Sequence, residues 1–292
     1  MEKLVLHIGA HKTATTSLQR FFDDRSKTFT DQGAHYHAMS RQTRNAIQLA
    51  LKARSSARLR VAQRLADELR GIERPTLVSW EGFLGPPFWH GRLYGRSEAA
   101  AELFDNLREL IECPIEIVFY VRRQDTFVTS TYIQAVKEGS EASPQEYIEM
   151  IKFRSLDWQG CIEPLRQIGL PIFLGAYELA GRSFPQFAAP ILDRFPTVRF
   201  AEMGDLPVLN LSFSAKALAI AQAANQVGLA NLEKRRLRAL LERFSGPAPK
   251  ILRQIDFKRI RAATADANTS LLSAGLTLPL DLKEYYQFSK LS

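Results

Sequence analysis

The chain has 292 residues, 46% of them hydrophobic and 24% charged, with a formal net charge of +8. That is long enough for one large or two modest cores, and the balance excludes a disordered or fibrous chain. Cys113 and Cys161 cannot build a disulfide framework and have no zinc-ligand spacing around them. The longest apolar runs, such as 115–121, are too short to span a bilayer. Met1-Glu2-Lys3 leads into only a few apolar residues before His7 and Gly9, which predicts no secretory leader and a cytoplasmic, reducing compartment. The basic excess favours anionic ligands without choosing one.

In chain order, Leu4 to Ile8 reads as a short strand ended by Gly9-Ala10. A helix is predicted from about Thr15, with Leu18, Phe21 and Phe22 on one face. Further strands are predicted over 76–80, 115–121 and 171–177, and helices over 46–69, 98–111, 125–136 and 143–151. Such alternation predicts an α/β fold: a three-layer parallel sheet flanked by helices. From about Leu211 the pattern turns helical. Residues 214–227 are Ala-rich, and Leu237, Leu240, Leu241 and Phe244 form one apolar stripe stopped by Ser245-Gly246-Pro247. With no repeat, low-complexity tract or long linker, the expected organisation is one domain over 1–292 whose section 211–292 is mainly helical. His7 is expected in the core. His35, His37 and His90 lie in loop-like sequence, as surface residues or as the lining of a cleft.

The segment from His7 to Gln19 carries the most chemistry. A strand turning sharply into a helix aims unpaired N–H groups and the positive end of the helix dipole at one point. Small residues let an anion approach the backbone there. The hydroxyls of Thr13, Thr15, Thr16 and Ser17 add donors, and Lys12 adds a mobile charge. Together they predict a cradle for a phosphate or sulfate. The plain alternative is a βα turn whose hydroxyls cap the helix. A Walker A loop is excluded, because His11 rather than glycine precedes Lys12.

A second candidate anchor runs from Val121 to Tyr132. Arg122 ends a strand and Ser130 follows two helical turns later, a guanidinium and a hydroxyl suited to another phosphate. Alternatively Arg122 pairs with Asp125 and Ser130 is a small packing residue. Lys234, Arg235, Arg236, Arg238 and Arg243, followed by basic residues over 250–261, read as solvated helix faces to which no site is assigned. With no aromatics interleaved over Lys234 to Arg243 and no reader motif, they predict no nucleic-acid partner.

His11-Lys12-Thr13-Ala14-Thr15-Thr16-Ser17-Leu18-Gln19 resembles the 5′-phosphosulfate loop of sulfotransferases that use 3′-phosphoadenosine 5′-phosphosulfate (PAPS), in particular the bacterial carbohydrate-type branch. It departs at Ala14, where that family usually has glycine, and it has Ser17 where the cytosolic branch places an adenine-stacking tryptophan. Arg122, Ser130 and Tyr132 resemble the family's 3′-phosphate motif, with Arg123-Gln124-Asp125 in the bacterial form. The resemblance spans residues 4–178.

It implies a fold like that of P-loop nucleotide-binding proteins and metal-independent transfer of a sulfuryl group from PAPS to a hydroxyl or amine, leaving PAP. The acceptor would be a carbohydrate or other small molecule. Lys12 would stabilise the leaving phosphate, with Thr13, Ala14, Thr15, Thr16 and Ser17 around the phosphosulfate and Arg122 with Ser130 on the 3′-phosphate. Glu81, in Ser79-Trp80-Glu81, would be the base, with His11 its rival. Tyr177-Glu178 resembles an adenine-contacting pair, and Asn210 and Ser212 resemble an Asn-x-Ser that opens a helix, although capping or packing also accounts for both. A small-molecule kinase on a related fold is the alternative; it requires Mg²⁺.

Overall fold

The computed structural model describes residues 1–199, 212–273, 275–276 and 278–287. The chain opens with β1 (Leu4–His7), α1 (Thr15–Asp24), α2 (Ser26–Asp31) and β2 (His35–His37). It continues through α3 (Arg41–Ala50), α4 (Ser55–Leu69), β3 (Thr76–Ser79) and a small hairpin, β4 (Phe88–Trp89) and β5 (Arg92–Leu93). Then come α5 (Ser97–Leu110), β6 (Ile115–Val121), α6 (Gln124–Lys137), α7 (Pro144–Glu149), α8 (Trp158–Gln167), β7 (Ile172–Ala176) and α9 (Phe184–Leu192). The last helices are α10 (Ala215–Gln226), α11 (Asn231–Leu241), α12 (Gln254–Ser273) and α13 (Leu280–Tyr286).

Five strands pair in the order β2-β3-β1-β6-β7, all parallel, as the alternation of strand and helix predicts. Every residue of β1 and β3 is buried, the burial expected of a parallel sheet covered on both faces. α1 buries Leu18, Phe21 and Phe22, each worth roughly 1.5–3 kcal/mol when fully removed from water. Because β1 is flanked by β3 on one side and β6 on the other, the loops leaving these strands diverge and open a crevice at the carboxyl edge of the sheet. The core continues into the helical C-terminal section through Phe213, Leu218, Ile260, Leu271 and Tyr286. There α10 packs on α6, and α12 packs on α6 and α8.

Three local readings change. The helix expected over 46–69 is two, α3 and α4: the backbone turns extended at Arg54, and Nη1 of Arg58 donates to the Ala53 carbonyl in the connection at 2.7 Å. His35–His37 is an edge strand too short to show periodicity, and its pairing with β3 fixes it. α8 and α9 enclose Pro164 and Pro190, which disrupt a helical pattern in sequence. Both cysteines are free thiols, and no helix among the described residues is long and apolar enough to cross a membrane.

Candidate functional site

Beyond its last paired residue, β1 keeps following β6: the Ile8 N–H donates to Val118 O at 3.0 Å and the Ala10 N–H to Tyr120 O at 3.2 Å. Gly9 is small for a packing reason, since a Cβ there would lie 2.6 Å from Nε2 of His7. His7 is the core histidine expected of it. Its Nδ1 is 2.8 Å from the Ser79 hydroxyl, and burial holds it neutral by lowering its pKa to about 3. The loop then takes left-handed backbone twice, at Lys12 (φ +64°) and Ala14 (φ +61°), on either side of Thr13. Alternations of this kind form anion-binding nests. Ala14 is the N-cap of α1 and no side chain caps that helix, so the hydroxyl-capping alternative is not what the loop adopts.

Left-handed backbone costs an L-residue roughly 1–2 kcal/mol, and glycine escapes this cost. Ala14→Gly is therefore expected to raise stability by about 1 kcal/mol, less the entropy that glycine adds to the unfolded chain. Thermal unfolding tests it: a lowered Tm would show that the position has no left-handed strain to relieve.

The loop and α6 enclose a cavity of about 600 Å³ that holds His11, Lys12, Ala14, Thr15, Thr16 and Ser17 on one side. Glu81, Arg122, Ser130 and Tyr177 complete the set brought together from the sequence. Thr13 departs from it. Its hydroxyl donates to the Ala10 carbonyl and is buried, so the side chain braces the loop instead of facing the cavity.

Arg122 is held on three sides. Its Nη1 donates to the Lys12 carbonyl at 2.9 Å, its Nε donates to the Thr126 hydroxyl at 3.0 Å, and its guanidinium lies 4.1 Å above the Tyr177 ring. Asp125 pairs with Arg123 (Nε–Oδ1 2.7 Å, Nη2–Oδ2 2.6 Å), so the ion pair foreseen for Arg122 is made by its neighbour. Tyr132 projects from α6 away from Ser130. It is buried and donates to Ala142 O at 3.1 Å. Of the Tyr177-Glu178 pair only Tyr177 lines the cavity; Glu178 turns inward to the Arg123 N–H and the Tyr286 hydroxyl.

Two cavity cations were not legible as site residues. Lys137, at the end of α6, and Arg238, on α11, both line the wall and share one acceptor, Oε1 of Glu242, at 3.1 and 3.2 Å. Nothing in the sequence pattern singled out Lys137, and Arg238 read as one charge in a solvated run, until packing set α11 beside the site. Nζ of Lys12 reaches into this group and donates to Oε1 of Gln134 at 3.1 Å. Burial, reinforced by the charges of Lys137 and Arg122, lowers the Lys12 pKa to about 8. Four cations, Lys12, Arg122, Lys137 and Arg238, thus share the cavity wall with the carboxylates Glu81, Asp125 and Glu138. Ser212 lines it too, whereas the cap of α10 is Ser214, whose side chain accepts from the Ala217 N–H; Asn210 lies outside the described residues.

At the other end, Glu81 opens a 3₁₀ turn directly after β3, and its Oε2 accepts from Nε2 of Gln19 at 2.7 Å. The backbone N–H of His11 donates to the hydroxyl of buried Tyr94 at 2.7 Å, and that hydroxyl lies 3.0 Å from His11 Nδ1. The Tyr94 oxygen, which already accepts from the backbone, keeps a second lone pair and its own proton, so it serves either imidazole tautomer of His11. Burial lowers the His11 pKa, so the ring is neutral. Tyr94 stood outside every motif, and only its contact with His11 identifies it. His35, His37 and His90 do not line the cavity. No protein-family model matches the chain, and a search of curated proteins finds no match.

Proposed function

We propose that the chain is a PAPS-dependent sulfotransferase acting on a hydroxyl or amine of a carbohydrate or other small molecule. The observation that carries this reading is the opening of one uncapped, left-handed βα loop and one stacked arginine onto the same cation-lined cavity. A volume of about 600 Å³ suits a nucleotide with room for an acceptor, within the range of ligand pockets. The residues fit the donor: a nest with free helix N–H groups for the phosphosulfate, and Arg122 with Ser130 for a separate phosphate.

When bound, PAPS supplies the sulfuryl group. Lys12 places positive charge where the leaving phosphate oxygen gathers negative charge. Thr15, Thr16 and Ser17 add hydroxyl donors beside the backbone of Ala14. Glu81, steadied by Gln19, accepts the proton of the acceptor, and the neutral imidazole of His11 is its rival for that role. Holding both ends of the nucleotide fixes the orientation of the reacting centre.

Calorimetry tests the reading. PAP is expected to bind without metal and ATP far more weakly. Binding of ATP with Mg²⁺ but not of PAP would replace this reading with a kinase, and binding of neither would leave no nucleotide role for the cavity.

A further inference from the structure

The peptide that follows Arg122 is gripped from both sides, by the buried Trp158 and by Glu178. Its carbonyl accepts from Nε1 of Trp158 at 2.8 Å, and its N–H, that of Arg123, donates to Oε1 of Glu178 at 3.0 Å. Glu178 adjoins Tyr177, the ring on which the Arg122 guanidinium rests. One carboxylate therefore sets both the backbone that carries the guanidinium and the surface beneath it. A buried carboxylate needs donors on both oxygens, and the second donor is the hydroxyl of Tyr286.

Tyr286 is anchored in turn. Its carbonyl accepts from Nδ2 of Asn268 at 2.9 Å, and Asn268 exchanges two hydrogen bonds with Gln124, at 2.7 and 3.0 Å. The loop of contacts thus begins and ends in residues 122–124. Neither Tyr286 nor Glu178 lines the cavity, so neither touches a ligand there.

We infer that Tyr286, on the C-terminal helix, is a positioning residue for the anion site at Arg122 and acts through Glu178. The inference rests on the reading of the cavity as a PAPS site. Tyr286→Phe keeps the ring and removes only the hydroxyl. It is expected to weaken PAP binding about tenfold, the scale of leaving one buried charged acceptor short of a donor. Adenosine 5′-monophosphate, which lacks the 3′-phosphate, is expected to bind the variant as it binds the parent chain. Because Tyr286 acts through Glu178, the double variant with Glu178→Ala is expected to bind PAP no more weakly than Glu178→Ala alone.

An unchanged PAP affinity, an equal loss for both nucleotides, or additive losses would each overturn the inference. A ligand-free readout separates its failure from that of the cofactor reading. The Nε–H resonance of Arg122, assigned by its loss in Arg122→Lys, is expected to shift or broaden in Tyr286→Phe. If the parent chain binds no PAP, the cofactor reading fails, and this resonance alone decides: a change upholds the positioning role, and an unchanged signal overturns it.

Discussion

Arg122→Ala is expected to weaken PAP binding about 100-fold, the loss typical of truncating one partner of a buried, hydrogen-bonded charge pair. The guanidinium already spends Nε on Thr126 and one Nη1 proton on the Lys12 carbonyl, so its remaining donors form a fork on a fixed base above Tyr177. Alanine removes that fork and also leaves the Lys12 carbonyl without its donor, loosening the loop at the opposite anchor. Arg122→Lys is expected to rescue little, because one ammonium cannot replace a planar fork that holds two partners and a ligand together. Calorimetry with PAP and adenosine 5′-monophosphate decides the assignment. A loss below about fivefold for PAP, or an equal loss for both nucleotides, would remove Arg122 from the 3′-phosphate.

Lys12→Met is expected to lower the sulfate-transfer rate by about 10²- to 10³-fold, the effect of deleting one preorganised donor at developing charge, and to weaken PAP binding less. The same lysine makes a prediction about pH. Its pKa of about 8 lies below that of an ordinary lysine, because burial and the charges of Lys137 and Arg122 disfavour the ammonium. In the ligand-free chain the unfolded state holds this proton more tightly, so the group's contribution to stability rises with pH from about 8 toward the ordinary lysine value. An anionic ligand selects the protonated form, so PAP affinity is expected to hold below pH 8 and to fall as pH rises through it. Lys12→Met should flatten both trends. PAP titrations and thermal unfolding across this range are the checks, and a PAP affinity that climbs above pH 8 would contradict the placement of the ammonium beside the anion.

The strands, the turn at Gly9-Ala10 and the helix from Thr15 were legible because each depends on contiguous residues: a buried apolar run, small residues, then a repeat of apolar side chains. Lys12 and Arg122 were legible as candidates because charge beside a strand end lies at the carboxyl edge of a parallel sheet, whereas Ser130, two turns into α6, was singled out by the spacing that resembles a family motif. The left-handed conformation at Ala14 was foreseeable only through the loop's resemblance to a family that usually has glycine at the matching position. Thr13 shows the limit of such reasoning. Four hydroxyls in a row look alike in sequence, yet the backbone turn directs one of them to the Ala10 carbonyl.

Local pattern thus carried the fold class and placed the βα loop and Arg122 at one end of the sheet, because these arise from backbone periodicity and from residue types next to one another. Packing assigned the rest. Tyr94 meets His11, Lys137 meets Glu242, and Tyr286 meets Glu178. Each of these contacts joins groups far apart in the chain, and their meeting is set by how helices stack on the sheet, which no stretch of adjacent residues encodes.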